Sequence, residues 1–119
     1  MKNASIGIFD SGIGGLTIAH SIKEKMPNES IIYFGDTKHL PYGEKSNSAI
    51  QDFSESITKF LLQQNCKAIV IACNSASSVA YKKVKEITGS VPVFNVIDPV
   101  VNYVNKNCNN CNIGIIGTK

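Results

Sequence analysis

The sequence contains no arginine and no tryptophan. Planar, two-pronged capture of a carboxylate or phosphate normally uses a guanidinium fork. Any anion bound here must therefore be held by backbone amides, side-chain amides, hydroxyls or lysine. The charge that is present, twelve lysines against nine carboxylates for a net +3, is scattered, which argues against a basic stripe for nucleic acid. Long apolar runs are also missing. Ala68 to Cys73 is among the longest, far short of the roughly 20 residues that span a bilayer, and Ile6 to Phe9 is too brief for a signal-peptide core. These absences predict a cytoplasmic protein with no membrane or nucleic-acid partner. Without a secretory signal the four cysteines are expected to be reduced, and their one close pair, Cys108 and Cys111, is only half a zinc site.

What is there is the balance of a soluble globular chain: 119 residues, 43% hydrophobic, 18% charged and a mean hydropathy of zero, the size of about one domain. Ser5 to Phe9 reads as a strand ending at Asp10, followed by the glycine turn Ser11-Gly12-Ile13-Gly14-Gly15 and a helix with Leu16, Ala19, Ile22 and Met26 on one side. Ile31 to Phe34 is a second strand, and a turn-rich loop runs from Gly35 to Lys45. Ser48 and Gln51 have the spacing of a capping box, opening a helix through Ile50, Phe53, Ile57, Phe60 and Leu61. Ala68 to Ala72 is a third strand, Ser75 to Gly89 a third helix with its terminal glycine, and Val91 to Val96 a fourth strand. Asp98 as cap and Pro99 in the first turn begin a helix through Asn107, and Ile113 to Ile116 makes a fifth strand. Apolar strands alternating with amphipathic helices predict an α/β fold: a doubly wound, mostly parallel sheet in flavodoxin-like order with helices on both faces.

In such a sheet, ligands bind beyond the carboxyl ends of the strands where the order reverses, between strands one and three. Asp10 and Cys73 end those two strands. A thiol at the start of a helix is favoured as thiolate by the partial positive charge there, and a thiolate is a usable base or nucleophile. A buried structural cysteine is the alternative. Asp10 suits an ammonium group, or simply caps the first helix. Gly12, Gly14 and Gly15 admit close backbone approach, but the third glycine of a dinucleotide fingerprint is missing, which leaves Asp36 a weak ribose acid. Asn74, Ser75, Ser77 and Ser78 offer amides and hydroxyls at a helix start, for an anion or for capping. Pro41, Tyr42 and Gly43 lie on the same sheet edge as a pocket wall or an ordinary turn. His20 and His39 lack a third partner at ligand spacing, so no metal site is expected. Cys66 reads as packing, and Lys82, Lys83 and Lys85 as a solvated helix face.

The segments Gly7-Ile8-Phe9-Asp10-Ser11-Gly12-Ile13-Gly14-Gly15-Leu16-Thr17, Asp36-Thr37-Lys38-His39-Leu40-Pro41-Tyr42-Gly43-Glu44-Lys45 and Ala72-Cys73-Asn74-Ser75-Ala76-Ser77 together resemble the glutamate racemase family, over essentially the whole chain. The resemblance implies cofactor-independent interconversion of L- and D-glutamate by two cysteines on opposite faces of the α-carbon, supplying D-glutamate for peptidoglycan, with a homodimer when full length. It implies that Cys73 is one acid/base and that Asp10 assists it and holds the ammonium. It also implies that Ser11, Pro41, Tyr42, Gly43, Asn74, Ser75 and Thr118 contact substrate; Ser75, often Thr in such enzymes, keeps the hydroxyl. An aspartate-type racemase and a non-catalytic amino-acid-binding fragment are the alternatives. Members of the family are more than twice as long and take their second cysteine from a Cys-Thr-His motif in another domain. None of Cys66, Cys108 and Cys111 is followed by Thr-His. The expectation is therefore a truncated racemase, inactive alone, with residues 1–97 as the N-terminal domain and 98–119 as the start of a second.

Overall fold

The computed structural model describes residues 3–117. Four strands, β1 (Ile6–Asp10), β2 (Ile31–Gly35), β3 (Ala68–Ile71) and β4 (Val93–Asn95), form an all-parallel sheet in the order β2-β1-β3-β4. Five α-helices connect and follow them: α1 (Leu16–Lys25), α2 (Asn47–Gln63), α3 (Asn74–Val79), α4 (Tyr81–Thr88) and α5 (Asp98–Asn107), with short 3-10 turns at Thr37–His39 and Tyr42–Glu44. This is the doubly wound α/β arrangement that the alternation of strands and helices predicts, with the order reversing between β1 and β3.

Because side chains alternate across a strand, the continuous apolar runs serve both faces. Ile6, Ile8 and Val70 meet Ile18, Ala19 and Ile22 of α1 on one face. Phe9, Ile69 and Ile71 meet Ile50, Ile57 and Leu61 of α2, Ala76 of α3 and Val84 of α4 on the other. Gly7 is needed on that second face, where a Cβ would lie 2.9 Å from the Cys66 sulfur and 3.2 Å from Leu61. Cys66 is buried there, as its packing role requires, and burial pushes its thiol pKa up.

Several expected details differ. The cap of α2 is Ser46, whose hydroxyl accepts from the Ala49 amide at 3.2 Å; Gln51 instead donates to the Val79 carbonyl at 2.8 Å. That outside partner sits where the expected third helix breaks into α3 and α4, at the buried Ala80 with φ −114°. Asn95, not Asp98, opens α5: its side-chain oxygen accepts from the Ile97 and Asp98 amides at 2.9 and 2.8 Å. No fifth strand forms among the described residues. Ile113 to Gly117 run beside Val100, Val101 and Val104 of α5 instead of pairing with β4, and a strand without a ladder partner has no hydrogen bonds to define it. Cys108 and Cys111, expected as free thiols, are joined as a disulfide with Cα atoms 5.4 Å apart, because Asn110 takes a left-handed φ of 59° that folds the chain back.

Glu55 on α2 joins the two helices on this face, accepting from Lys59 at 2.6 Å and from Lys83 of α4 at 2.9 Å. The two ammonium groups hold its carboxyl down from 4.5 to about 2. A carboxyl whose folded value is depressed stabilises the fold fully above its unfolded value and loses that contribution as pH falls. Thermal melts between pH about 5 and 2 are therefore expected to fall less steeply for Glu55→Gln than for the parent. The difference will be small and will shrink with added salt, because the pair is solvent-accessible.

Candidate active site

Asp10 ends β1, and its backbone is locked to both neighbouring strands: the Asp36 amide donates to the Asp10 carbonyl at 2.9 Å, and the Ala72 amide donates to the Phe9 carbonyl at 2.8 Å. Its buried carboxylate accepts from the Gly15 amide at 2.7 Å, near the start of α1, and from the Ser11 hydroxyl at 3.5 Å. The capping and ligand readings of Asp10 thus coexist, since the same group binds an orphan helix amide and lines a cleft. Glycine is required at position 15 for this approach. A Cβ there would lie 2.7 Å from the Asp10 Cβ and 2.9 Å from the Ala72 Cβ.

Tyr33 of β2 stands behind the turn. Its hydroxyl donates to the Gly12 carbonyl at 3.0 Å and lies 3.4 Å from the Asp10 carboxylate. Burial, then the neighbouring Asp10 charge, push its phenol up to about 12. The sequence offered no signal for this role, because Tyr33 reads only as one member of an apolar strand.

Cys73 follows β3 and is the N-cap of α3, with its sulfur accepting from the Ala76 amide at 3.4 Å. It is buried, yet it borders the cleft. Ser77, three residues into α3, serves the fold: its hydroxyl donates to the Ile71 carbonyl at 3.1 Å and accepts from the Val96 amide at 3.3 Å, tying β3 to the end of β4.

The loop after β2 forms the opposite wall. Tyr42 is almost wholly buried and donates to the Asp36 carboxylate at 2.5 Å, while His39 Nδ1 lies 2.9 Å from the same carboxylate. The His39 ring stacks on Phe53 with centroids 3.9 Å apart. Burial, followed by the bond to Asp36, drives the Tyr42 phenol well above its ordinary value. Asp36 is therefore a buried clamp on the loop, which removes the ribose reading. His20 pairs on the surface with Glu24 at 3.3 Å.

Together these elements enclose a cleft of about 530 Å³ lined by Asp10, Ser11, Pro41, Tyr42, Gly43, Cys73, Asn74 and Ser75, along with Leu40 and Val96 that sequence reasoning missed. The fold thus gathers eight of the nine expected site residues; the ninth, Thr118, lies outside the described residues. A larger, mainly apolar groove of about 1020 Å³ runs between α5, residues 113–117 and the cleft rim, and contains neither Asp10 nor Cys73. Among the described residues no three His, Cys, Asp or Glu side chains converge as metal ligands, and no helix is long and apolar enough to cross a membrane.

The fold is thus a doubly wound α/β domain with a thiol and a carboxylate on one cleft at its switch point. A family profile described as Asp/Glu/Hydantoin racemase matches residues 16–119, and the chain belongs to that family. It is 49% identical over 119 residues to a glutamate racemase of Corynebacterium diphtheriae, covering 100% of this chain and 44% of the relative. It is 49% identical over 117 residues to one of Neisseria meningitidis, covering 98% and 43%. The glutamate racemase of Francisella tularensis, solved in complex with D-glutamate, superposes with a TM-score of 0.86 at 49% identity, over 89% of this chain and 40% of that one. That of Aquifex pyrophilus gives 0.84 at 42% identity, over 89% and 42%. The chain thus spans less than half the length of the relatives it matches.

Gly15→Ala is expected to destabilise the protein by about 1–3 kcal/mol, the usual cost of forcing an extra methyl into a packed site. Urea unfolding will measure the loss.

Proposed function

We propose that this chain is the N-terminal half of a glutamate racemase, carrying one of the two acid/base groups of a cofactor-independent reaction that supplies D-glutamate for peptidoglycan in the cytoplasm. The observation that carries this reading is the placement of Cys73 and Asp10 on one cleft at the ends of adjacent strands, in a chain so similar to enzymes of that name. The Cys73 thiolate removes the α-proton and leaves a carbanion that is planar at the α-carbon; a second thiol on the other face delivers a proton, giving the opposite configuration. Running the steps in reverse converts D to L.

The remaining roles follow from chemistry. Asp10 holds the substrate ammonium and assists Cys73, whose captured proton is lost to solvent when the thiolate is regenerated. Ser11, Asn74 and Ser75 supply hydroxyls and amides to the carboxylates, in keeping with a sequence that has no guanidinium. Pro41, Tyr42 and Gly43 form the wall that orients the side chain, with Tyr42 acting through its ring and backbone because its hydroxyl is committed to Asp36. Thr118 completes the contact set.

Among the described residues no second sulfur faces the cleft: Cys66 is packed under the sheet, and Cys108 and Cys111 are paired with each other. The second thiol therefore comes from sequence outside this chain, as the length of the relatives allows. Residues 98–119 begin the domain that brings it. The exposure of Val100 and Tyr103 on α5 and of Ile115 after it, at 61%, 68% and 90%, supports this, since apolar side chains grouped on a surface are normally covered. The complete protein is proposed to act as a homodimer.

The test uses the complete protein and L-glutamate in D₂O, following α-proton exchange and optical rotation. Cys73→Ser is expected to lower inversion about 100-fold or more, the usual cost of removing a general base. The parent Cys73 should react with iodoacetamide, and glutamate should protect it. Unimpaired inversion by the serine variant overturns the catalytic assignment. Preferential turnover of aspartate overturns the substrate assignment.

A further inference from the structure

We propose that Tyr33 is a positioning residue: its hydroxyl holds the 11–15 turn and the Asp10 carboxylate in the arrangement that proton transfer at Cys73 requires. The inference rests on the racemase reading above and extends it to a residue outside the cleft.

Three observations carry it. First, the Tyr33 oxygen is 3.0 Å from the Gly12 carbonyl oxygen and 3.4 Å from Asp10 Oδ2, so its single O–H is shared between the turn, as the nearer acceptor, and the carboxylate. Second, the β1–β2 register sets the two side chains side by side. Ile8 pairs with Tyr33 and Asp10 with Gly35, so Tyr33 and Asp10 project to the same face two residues apart along neighbouring strands. Third, the turn is pressed onto β2 from above, since a Cβ on Gly35 would collide with the Gly12 carbonyl oxygen. Gly35 thus permits the approach and Tyr33 fixes it.

Asp10 otherwise has one strong partner, the Gly15 amide, and one long one, the Ser11 hydroxyl. The phenol approaches the same Oδ2 that the Gly15 amide binds, and Tyr33 is not among the residues that line the cleft. It therefore acts through Asp10 and Gly12 and does not touch substrate. A hydrogen bond of this kind matters most when charge moves, because a small misplacement of a catalytic group costs more in rate than in binding. The raised phenol pKa comes first from burial and then from the Asp10 charge, which opposes formation of a phenolate.

Tyr33→Phe removes the oxygen alone. In the complete protein it is expected to lower kcat for glutamate about tenfold while KM changes less than about threefold, with the melting temperature within a few degrees of the parent. An unchanged kcat, or a loss matched by a proportionate loss of folded protein, overturns the proposal. A second measurement does not depend on turnover. Nuclear magnetic resonance titration of protein carrying a carbon-13 label on the ζ-carbon of Tyr33 alone should show it ionising near pH 12 in the parent and at lower pH in Asp10→Asn. Identical titration in the two overturns the contact even if the phenylalanine variant does not fold. Absence of glutamate turnover in the parent defeats the racemase reading, while the titration still decides whether Tyr33 is bonded to Asp10.

Discussion

The ladder between β1 and β3 is the constraint on which the rest depends. Two parallel strands lying side by side must end on the same edge, and here their last residues lead into Asp10 and Cys73. Because consecutive strands in a doubly wound sheet are crossed by helices in opposite directions at this point, the helix N-termini diverge and leave a crevice above the strand ends. A carboxylate and a thiol that are 63 residues apart in sequence are thereby held on one cleft by backbone hydrogen bonds alone, with little reliance on flexible side chains.

The cleft is shaped by contacts that place polar groups under strict geometry. Asp10 is buried and would be costly if unpaired, so the Gly15 amide, Ser11 and Tyr33 surround it. Asp36 is also buried and is satisfied by Tyr42 and His39, with His39 in turn backed by Phe53. Each carboxylate therefore organises a loop. One sets the glycine turn and the other sets the Pro41 to Gly43 wall, and residues of both loops line the cleft with Cys73.

Most of this was legible in the residues because it follows from periodicity. The apolar runs that are buried on two faces, the helix of α2 and the position of Gly89 after α4 all appear where the pattern puts them. The family motifs also mark Asp10, Cys73 and their neighbours. Legibility failed where a role depends on a distant partner. Gln51 has capping-box spacing, yet it bonds Val79 on another helix. Ser77 looks like a ligand hydroxyl, yet it joins two strands. Ile113 to Ile116 has strand composition, but composition supplies no ladder partner. Nothing local distinguishes a tyrosine that packs from one that bonds a carboxylate across a strand, as Tyr33 does.

By itself the sequence determined the α/β class, the alternation of the four strands with helices and the position of a thiol and a carboxylate at two strand ends, because side-chain period and glycine placement are local properties that survive without a partner. The tertiary structure alone decided which hydroxyls face the cleft and which bind the framework, where the third helix breaks, and how Asp10 and Tyr42 are held. Those outcomes depend on hydrogen bonds between residues brought together by the sheet, and a hydrogen bond is set by distances of a few tenths of an ångström that no linear spacing encodes.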